Sequence, residues 1–185
     1  MRGRVIALLA VAALGLGACG DDEGGNAALE PAIPAGTPTG TTDSTSTTGS
    51  PFKVASIEVS KDTSKKPTIT KPSGDPPTEL VQKDIVAGKG AAAQSGDSLE
   101  MHYLGAHFDG KQFESSWDSG SPFPFTLGEG KVIAGWDQGI VGMKAGGRRL
   151  LVIPPDLAYA DVGSGTIKPG ETLIFVVDLK KRTAT

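Results

Sequence analysis

Val132-Ile133-Ala134-Gly135-Trp136-Asp137-Gln138-Gly139-Ile140-Val141-Gly142-Met143 is the one stretch of this chain with apolar residues at helical spacing. Val132, Trp136, Ile140 and Met143 stand at i, i+4, i+8 and i+11, one face of a short helix. Gly135, Gly139 and Gly142 weaken it as an isolated helix, because glycine gives up the most backbone freedom on ordering. Such a helix depends on packing against another element.

The segments around it supply that element. Leu99, Met101 and Tyr103 alternate with Glu100 and His102, so Leu99–Ala106 reads as a half-buried strand. Phe108-Asp109-Gly110-Lys111 follows as a hairpin turn with Asp-Gly chemistry. Phe123, Phe125 and Leu127 alternate again. Leu150 to Ile153 is a short apolar strand ended by Pro154-Pro155. Leu173, Phe175, Val177 and Leu179 give the cleanest alternation in the chain. Glu79 to Val86 reads as a further strand, and Thr68-Ile69-Thr70 as a candidate edge strand. Several antiparallel strands and one short helix predict an α+β fold: a curved antiparallel β-sheet wrapped around a single helix. No internal repeat is evident.

The chain has 185 residues, 38% hydrophobic and 21% charged, enough for one ordinary domain plus extra segments. Its formal net charge of -3 argues against nucleic acid as a partner, which calls for a concentrated basic surface. No heptad pattern is visible, so a monomer is the default expectation. Two His and one Cys leave little material for a protein-only metal site. His102 and His107 are five apart, so a regular strand turns them to opposite faces. Lys180-Lys181-Arg182 reads as a solvated chain end.

The N-terminus reads as an address. Arg2 and Arg4 precede an apolar run from Val5 to Gly17, within the length of a signal segment and short for a membrane span. Leu16-Gly17-Ala18-Cys19 resembles a bacterial lipobox. The resemblance implies cleavage after Ala18 and lipidation of Cys19, hence an extracytoplasmic protein lipid-anchored to the bacterial cell membrane. The alternative is an ordinary signal peptide with an incidental Cys. Residues 1–18 are then the lipoprotein signal peptide. Residues 19–51, rich in Gly, Ser, Thr and Pro, form a flexible tether that cannot bury enough apolar surface to order itself. Residues 52–77 read as an N-terminal extension of the domain, and 78–185 as the domain itself.

From about Thr78 to Arg182 a series of blocks appears in a specific order. They are His102-Tyr103-Leu104-Gly105, Asp109 to Ser116, Pro122-Phe123, Leu127-Gly128, Val132 to Gly139, Gly146 to Arg148, Ile153 to Tyr159, and Leu173-Ile174-Phe175. Their ordered combination resembles the FKBP family of peptidyl-prolyl cis/trans isomerases. The resemblance implies an enzyme that rotates X-Pro bonds in extracytoplasmic proteins as a folding catalyst. It implies an active site between sheet and helix, and no cofactor. Carried over residue by residue, Tyr103, Phe113, Phe123, Val132, Ile133 and Phe175 form the pocket wall and Trp136 its floor. Tyr159 is the rim hydroxyl, the Ile133 N–H a second donor, and Ile167 lines a loop over the site. Proline-containing polypeptides are the implied partners and macrolides the implied inhibitors.

An apolar cup suits that chemistry. The barrier to amide rotation is roughly 18–20 kcal/mol and reflects lost resonance, so no bond is broken and no nucleophile or metal is required. The catalyst must bind the twisted amide better than either planar form, and a dry pocket disfavours the more polar planar amide. On spacing alone Phe125, Leu127, Trp136 and Phe175 are core positions. Only the resemblance assigns Trp136 and Phe175 to a pocket.

The chain also departs from the family pattern. Glu114 stands where Asp is usual, a carboxylate that contacts the ligand-binding Tyr in many members. Ser119 replaces a basic residue that some members pair with that acid. Ala160 follows Tyr159 where Gly is usual, a strain if the position needs positive φ. The Asp161–Lys168 loop is about one residue shorter, with Ser164 and Thr166 in place of larger residues. These departures leave an alternative: a non-catalytic proline-peptide-binding or chaperone module on the cell envelope.

Overall fold

The structure is a computed structural model describing Lys53 and residues 56–185. The expected signal peptide, the tether and Cys19 lie outside the described residues.

Among the described residues there are eight strands: β1 (Val81–Val86), β2 (Lys89–Ala92), β3 (Ser98–His107), β4 (Gln112–Ser115), β5 (Phe123–Thr126), β6 (Lys144–Ala145), β7 (Arg148–Ile153) and β8 (Leu173–Thr183). Two short helices, α1 (Ser116–Ser119) and α2 (Ala134–Gly139), and a 3-10 turn (Pro155–Leu157) join them. The main sheet runs β1-β7-β8-β3-β4, every neighbour antiparallel, with β5 also on β3; β2 and β6 pair separately. The first strand begins at Val81, two residues later than the expected Glu79.

One edge of β3 is shared. Residues Ser98–Met101 pair with β5, and Leu104–Ala106 with β4. Between the two stretches Tyr103 has no strand partner on that edge, and two hydroxyls stand in: Tyr103 N–H donates to Ser116 Oγ at 2.8 Å, and Ser115 Oγ donates to Tyr103 O at 2.9 Å. Both backbone groups are thereby satisfied where the sheet is interrupted.

The helix is shorter than its apolar spacing suggests. Ile133 is its extended N-cap and Ile140 its C-cap, and Gly142 at φ +84 turns the chain away. Val132 and Met143 flank the helix yet share its buried cluster. The glycines within it are close-approach residues. A Cβ on Gly135 would run into Ile153, and one on Gly139 would sit 2.8 Å from Leu151 Cδ2. Without side chains at these two positions, α2 lies directly on β7.

Both faces of the sheet are covered, which corrects the expectation of a half-buried β3. Met101 to Ala106 are all buried, because Leu104 and Ala106 pack on the face away from α2 with Leu150, Val152, Ile174 and Val176. Ile57 from the N-terminal extension completes that second cluster. The extension folds back on itself: Val59 bridges Ile69, which realises the expected edge strand only as an isolated bridge. Arg148 fastens it. The guanidinium is fully buried, pairs with Asp178 through Nε and Nη2 at 2.6 and 2.7 Å, and donates to the carbonyls of Ser60 at 2.6 Å and Lys65 at 2.9 Å.

The C-terminal basic run is solvated at Lys180 and Lys181, as expected, but it is not a loose end. It continues β8, and each residue has a partner. Lys180 lies over the Trp117 ring at 5.3 Å, Lys181 pairs with Glu100, and Arg182 pairs with Asp97 at 2.5 Å. The β3–β8 register sets Lys181 directly opposite Glu100 and Arg182 opposite Leu99, two residues from Asp97.

Candidate functional site: an aromatic cup

The residues on the α2 side of β3 and β8 converge on Trp136. Tyr103 comes from β3, Phe123 from β5, Phe175 from β8 and Trp136 from α2. The Trp136 ring meets Tyr103 at 5.2 Å and 79°, Phe175 at 5.4 Å and 88°, and Phe123 at 6.3 Å and 81°. Phe113 of β4 stands edge-on to Phe175 at 5.7 Å. Edge-to-face packing of this kind favours aromatic pairs and fixes ring orientation. Trp136 is fully buried, and its indole N–H has no hydrogen-bond partner among the described residues. The floor of the cup is thus a buried indole held in place by the rings around it. Phe113, Phe123 and Tyr159 are half-buried at the rim.

Val132 and Ile133 lie just before α2, both buried in the same cluster. Their placement has a local cause. The Asp137 carboxylate accepts from Gly128 N at 2.8 Å and Gly130 N at 3.0 Å, tying the preceding turn to the helix start. Ile133 holds φ −60 and ψ 147, and its carbonyl accepts from Trp136 N at 2.8 Å. Ile167 sits in the loop that follows Tyr159, buried in the main cluster and bridged to Ser164.

That loop begins under strain. Ala160 adopts φ +45, the one non-glycine residue with positive φ among the described residues. Its N–H donates to Pro155 O and its carbonyl accepts from Gly170 N, both at 2.8 Å. The two bonds close the loop at its neck and set Tyr159 beside the cup.

Three ionisable groups face one another here. Burial, and then the charge of Glu114, pushes the Tyr159 hydroxyl up to about 12. The Tyr103 hydroxyl is pushed up further by the same two causes, and it donates a hydrogen bond to Glu114. Glu114 itself is raised by burial, with the bond from Tyr103 working the other way. Both phenols are thus held as O–H donors at any physiological pH. The longer Glu side chain thus acts on both phenols, on Tyr103 at the wall and through its charge on Tyr159 at the rim.

The structure thus brings Tyr103, Phe113, Glu114, Phe123, Val132, Ile133, Trp136, Tyr159, Ile167 and Phe175 to one region. Two further residues border the site that the sequence did not assign to it. Phe125, at 5.8 Å from Trp136, backs the floor, and His107, at 5.2 Å from Phe113, braces the rim while pairing with Glu171 at 2.8 Å. Their alternation marks them only as strand residues. His102 points to the other face, stacked on Trp117 at 4.2 Å. Among the described residues no three His, Cys, Asp or Glu side chains are grouped to hold a metal ion.

Residues 89–180 match the family described as FKBP-type peptidyl-prolyl cis-trans isomerase. The FK506-binding protein of Streptomyces anulatus is 54% identical over 117 residues, covering 62% of this chain and 94% of that protein. The probable FK506-binding protein of Corynebacterium glutamicum is 50% identical over 115 residues, covering 62% and 96% respectively. Among solved structures, the crystal structure of AtFKBP13 superposes with a TM-score of 0.54 at 39% identity, over 58% of this chain and 96% of its own. FkpA from Escherichia coli superposes with a TM-score of 0.55 at 35% identity, over 71% of this chain and 54% of its own.

Proposed function

The chain belongs to the FKBP-type peptidyl-prolyl cis-trans isomerase family, and on that premise we propose that its aromatic cup rotates X-Pro bonds in extracytoplasmic polypeptides. The observation that carries this reading is the set of near-perpendicular rings around Trp136. They make an apolar, buried floor against which a proline ring can stack. The twisted amide has lost charge separation, so transfer into such a site costs it less than it costs either planar isomer. Tyr159, held protonated, and the Ile133 N–H at the mouth of α2 orient the carbonyls that flank the proline. Tyr103 and Glu114 brace the wall. Macrolides that present a similar ring occupy the same cup.

Cys19 carries the lipid that holds the enzyme at the cell membrane, and its clients are proteins folding outside the cytoplasm. The support is the run of Arg2, Arg4, the apolar segment and Leu16-Gly17-Ala18-Cys19. A single acyl chain binds a bilayer marginally, and two or more hold stably. Mass spectrometry of the mature N-terminus tests this directly. Cys19→Ala should move the protein from the membrane fraction to the soluble one.

The catalytic reading is tested by exchange NMR on a Leu-Pro peptide with the full chain. Wild type should accelerate cis/trans exchange, and Tyr159→Phe with Trp136→Leu should abolish the acceleration. Leu is chosen because Trp→Ala in a core costs about 3–5 kcal/mol, a large part of ordinary stability. Folded wild type that binds the peptide without accelerating exchange would leave a proline-binding module in place of the catalyst.

A further inference from the structure

A cleft of about 560 Å³ opens against the rings of the cup. Tyr103 and Phe123 line both, so whatever enters the cleft is continuous with what the cup holds. Its origin is the interruption on the edge of β3. The chain from Ser115 through α1 to Pro124 leaves the sheet between β4 and β5 and forms the outer wall. The small side chains of Ser119 and Ser121 leave the space open, and Pro122 with Phe123 gives it an apolar side.

Two carboxylates reach this cleft, and they differ. Asp118 is already neutralised: Lys66 Nζ donates to it at 2.6 Å and Gln112 Nε2 at 2.7 Å. Glu114 takes a hydrogen bond from the Tyr103 hydroxyl and pairs with no Lys, Arg or His among the described residues. It is half-buried, and burial already disfavours its charge. An anion in that position gains from an incoming cation more than a solvated surface acid does. The apolar wall offers a bed for a long aliphatic stem, the way Lys and Arg bury their methylenes while their heads stay polar.

We propose that this cleft is a specificity subsite for a lysine or arginine side chain near the client's proline, with Glu114 as its counter-ion. The inference rests on the reading of the cup as the proline site and names the class of client that the site prefers. Clients with a basic residue close to the proline are isomerised ahead of neutral or acidic ones.

Exchange NMR on a matched peptide set tests it with the full chain. Each peptide carries Lys, norleucine or Glu at one of the two positions on either side of the proline. With wild type, Lys should exceed norleucine in kcat/KM by about fivefold at one position, the size of a partly buried ion pair, and Glu should fall below both. The Lys-to-norleucine ratio should fall to near one in Glu114→Gln. Ser119→Lys, which supplies a cation from within the cleft, should remove the preference for Lys. A ratio near one in wild type at every position overturns the subsite, even with norleucine peptides turned over normally. A ratio that survives Glu114→Gln overturns it as well. If no peptide is accelerated, the reading of the cup fails, and the subsite falls with it.

Discussion

Gly105 stands against the ring of Phe113: a Cβ built there would lie 2.7 Å from Phe113 Cζ, and Phe175 Cε1 would be 2.9 Å away. The wall of the cup therefore owes its position to an absent side chain on β3. Gly105→Ala should push both rings out of place. We expect a loss of about tenfold or more in kcat/KM, since small displacements at a reacting centre are expensive. Overpacking should also cost about 1–3 kcal/mol, read by urea denaturation. Adding Phe113→Leu should return stability without returning activity, which separates the two effects.

The pair Arg148–Asp178 is buried, at 0% and 1% exposure, and joins β7 and β8 to the N-terminal extension. Asp178→Asn leaves the guanidinium charged and uncompensated. That should cost about 3–5 kcal/mol, measured by denaturant unfolding. Limited proteolysis should then cut first in residues 56–73, whose attachment runs through the same guanidinium.

At Ala160 a methyl group occupies the left-handed region at φ +45. That conformation costs a non-glycine residue roughly 1–2 kcal/mol, and glycine loses about 0.4–1 kcal/mol through the freedom of the unfolded chain. Ala160→Gly should therefore stabilise, by up to about 1.6 kcal/mol on these two terms. Thermal unfolding monitored by circular dichroism checks the sign. A fall in melting temperature would show that Ala160 makes contacts worth more than its strain.

Two carboxyls respond to pH in opposite directions. Asp97 is held below the ordinary aspartate range by the hydrogen bond from Arg182 and then by the N–H of Gln94. Its contribution is present above its unfolded pKa and is lost as pH falls through its folded value. Glu114 is raised by burial, so its cost appears as pH rises through its folded value. Asp97→Asn should lower the melting temperature at pH 7 and have little effect at pH 2. Glu114→Gln should raise it at pH 7 and leave it unchanged at pH 3.

The strands were legible because alternation survives in them: Leu173, Phe175, Val177 and Leu179 point at α2, and their register against β3 follows. The covering of the opposite face was not. Ile57 lies in a short, mixed segment that ends in polar residues and prolines, and Arg148 holds the extension through the carbonyls of Ser60 and Lys65, which any sequence supplies. The length of α2 was overread for a related reason. Val132 and Met143 are buried as the spacing requires, but by turns on either side of six helical residues. The ends of Lys180, Lys181 and Arg182 find partners some eighty residues or more away in Asp97 and Glu100, or on Trp117, contacts that no local pattern encodes.

The cup was legible in a different sense. Trp136 and Phe175 have the spacing of core residues, and they are buried as core residues are. What composition and periodicity could not supply was their mutual angle, or the gap in the edge of β3 that opens the neighbouring cleft. Both arise from pairings between distant segments, β5 with one half of β3 and β4 with the other.

The extension and the cup lie on opposite faces of one sheet, with Leu104 turned to the first and Tyr103 to the second. A load applied to the chain ahead of residue 56 would meet first the bonds of Ser56 and Glu58 to Thr70 and Ser73, and then the Arg148 bonds to Ser60 and Lys65. Those bonds peel before any rung of the β3–β8 ladder is pulled, so tension on the chain spends itself behind the sheet and leaves the geometry around Trp136 undisturbed.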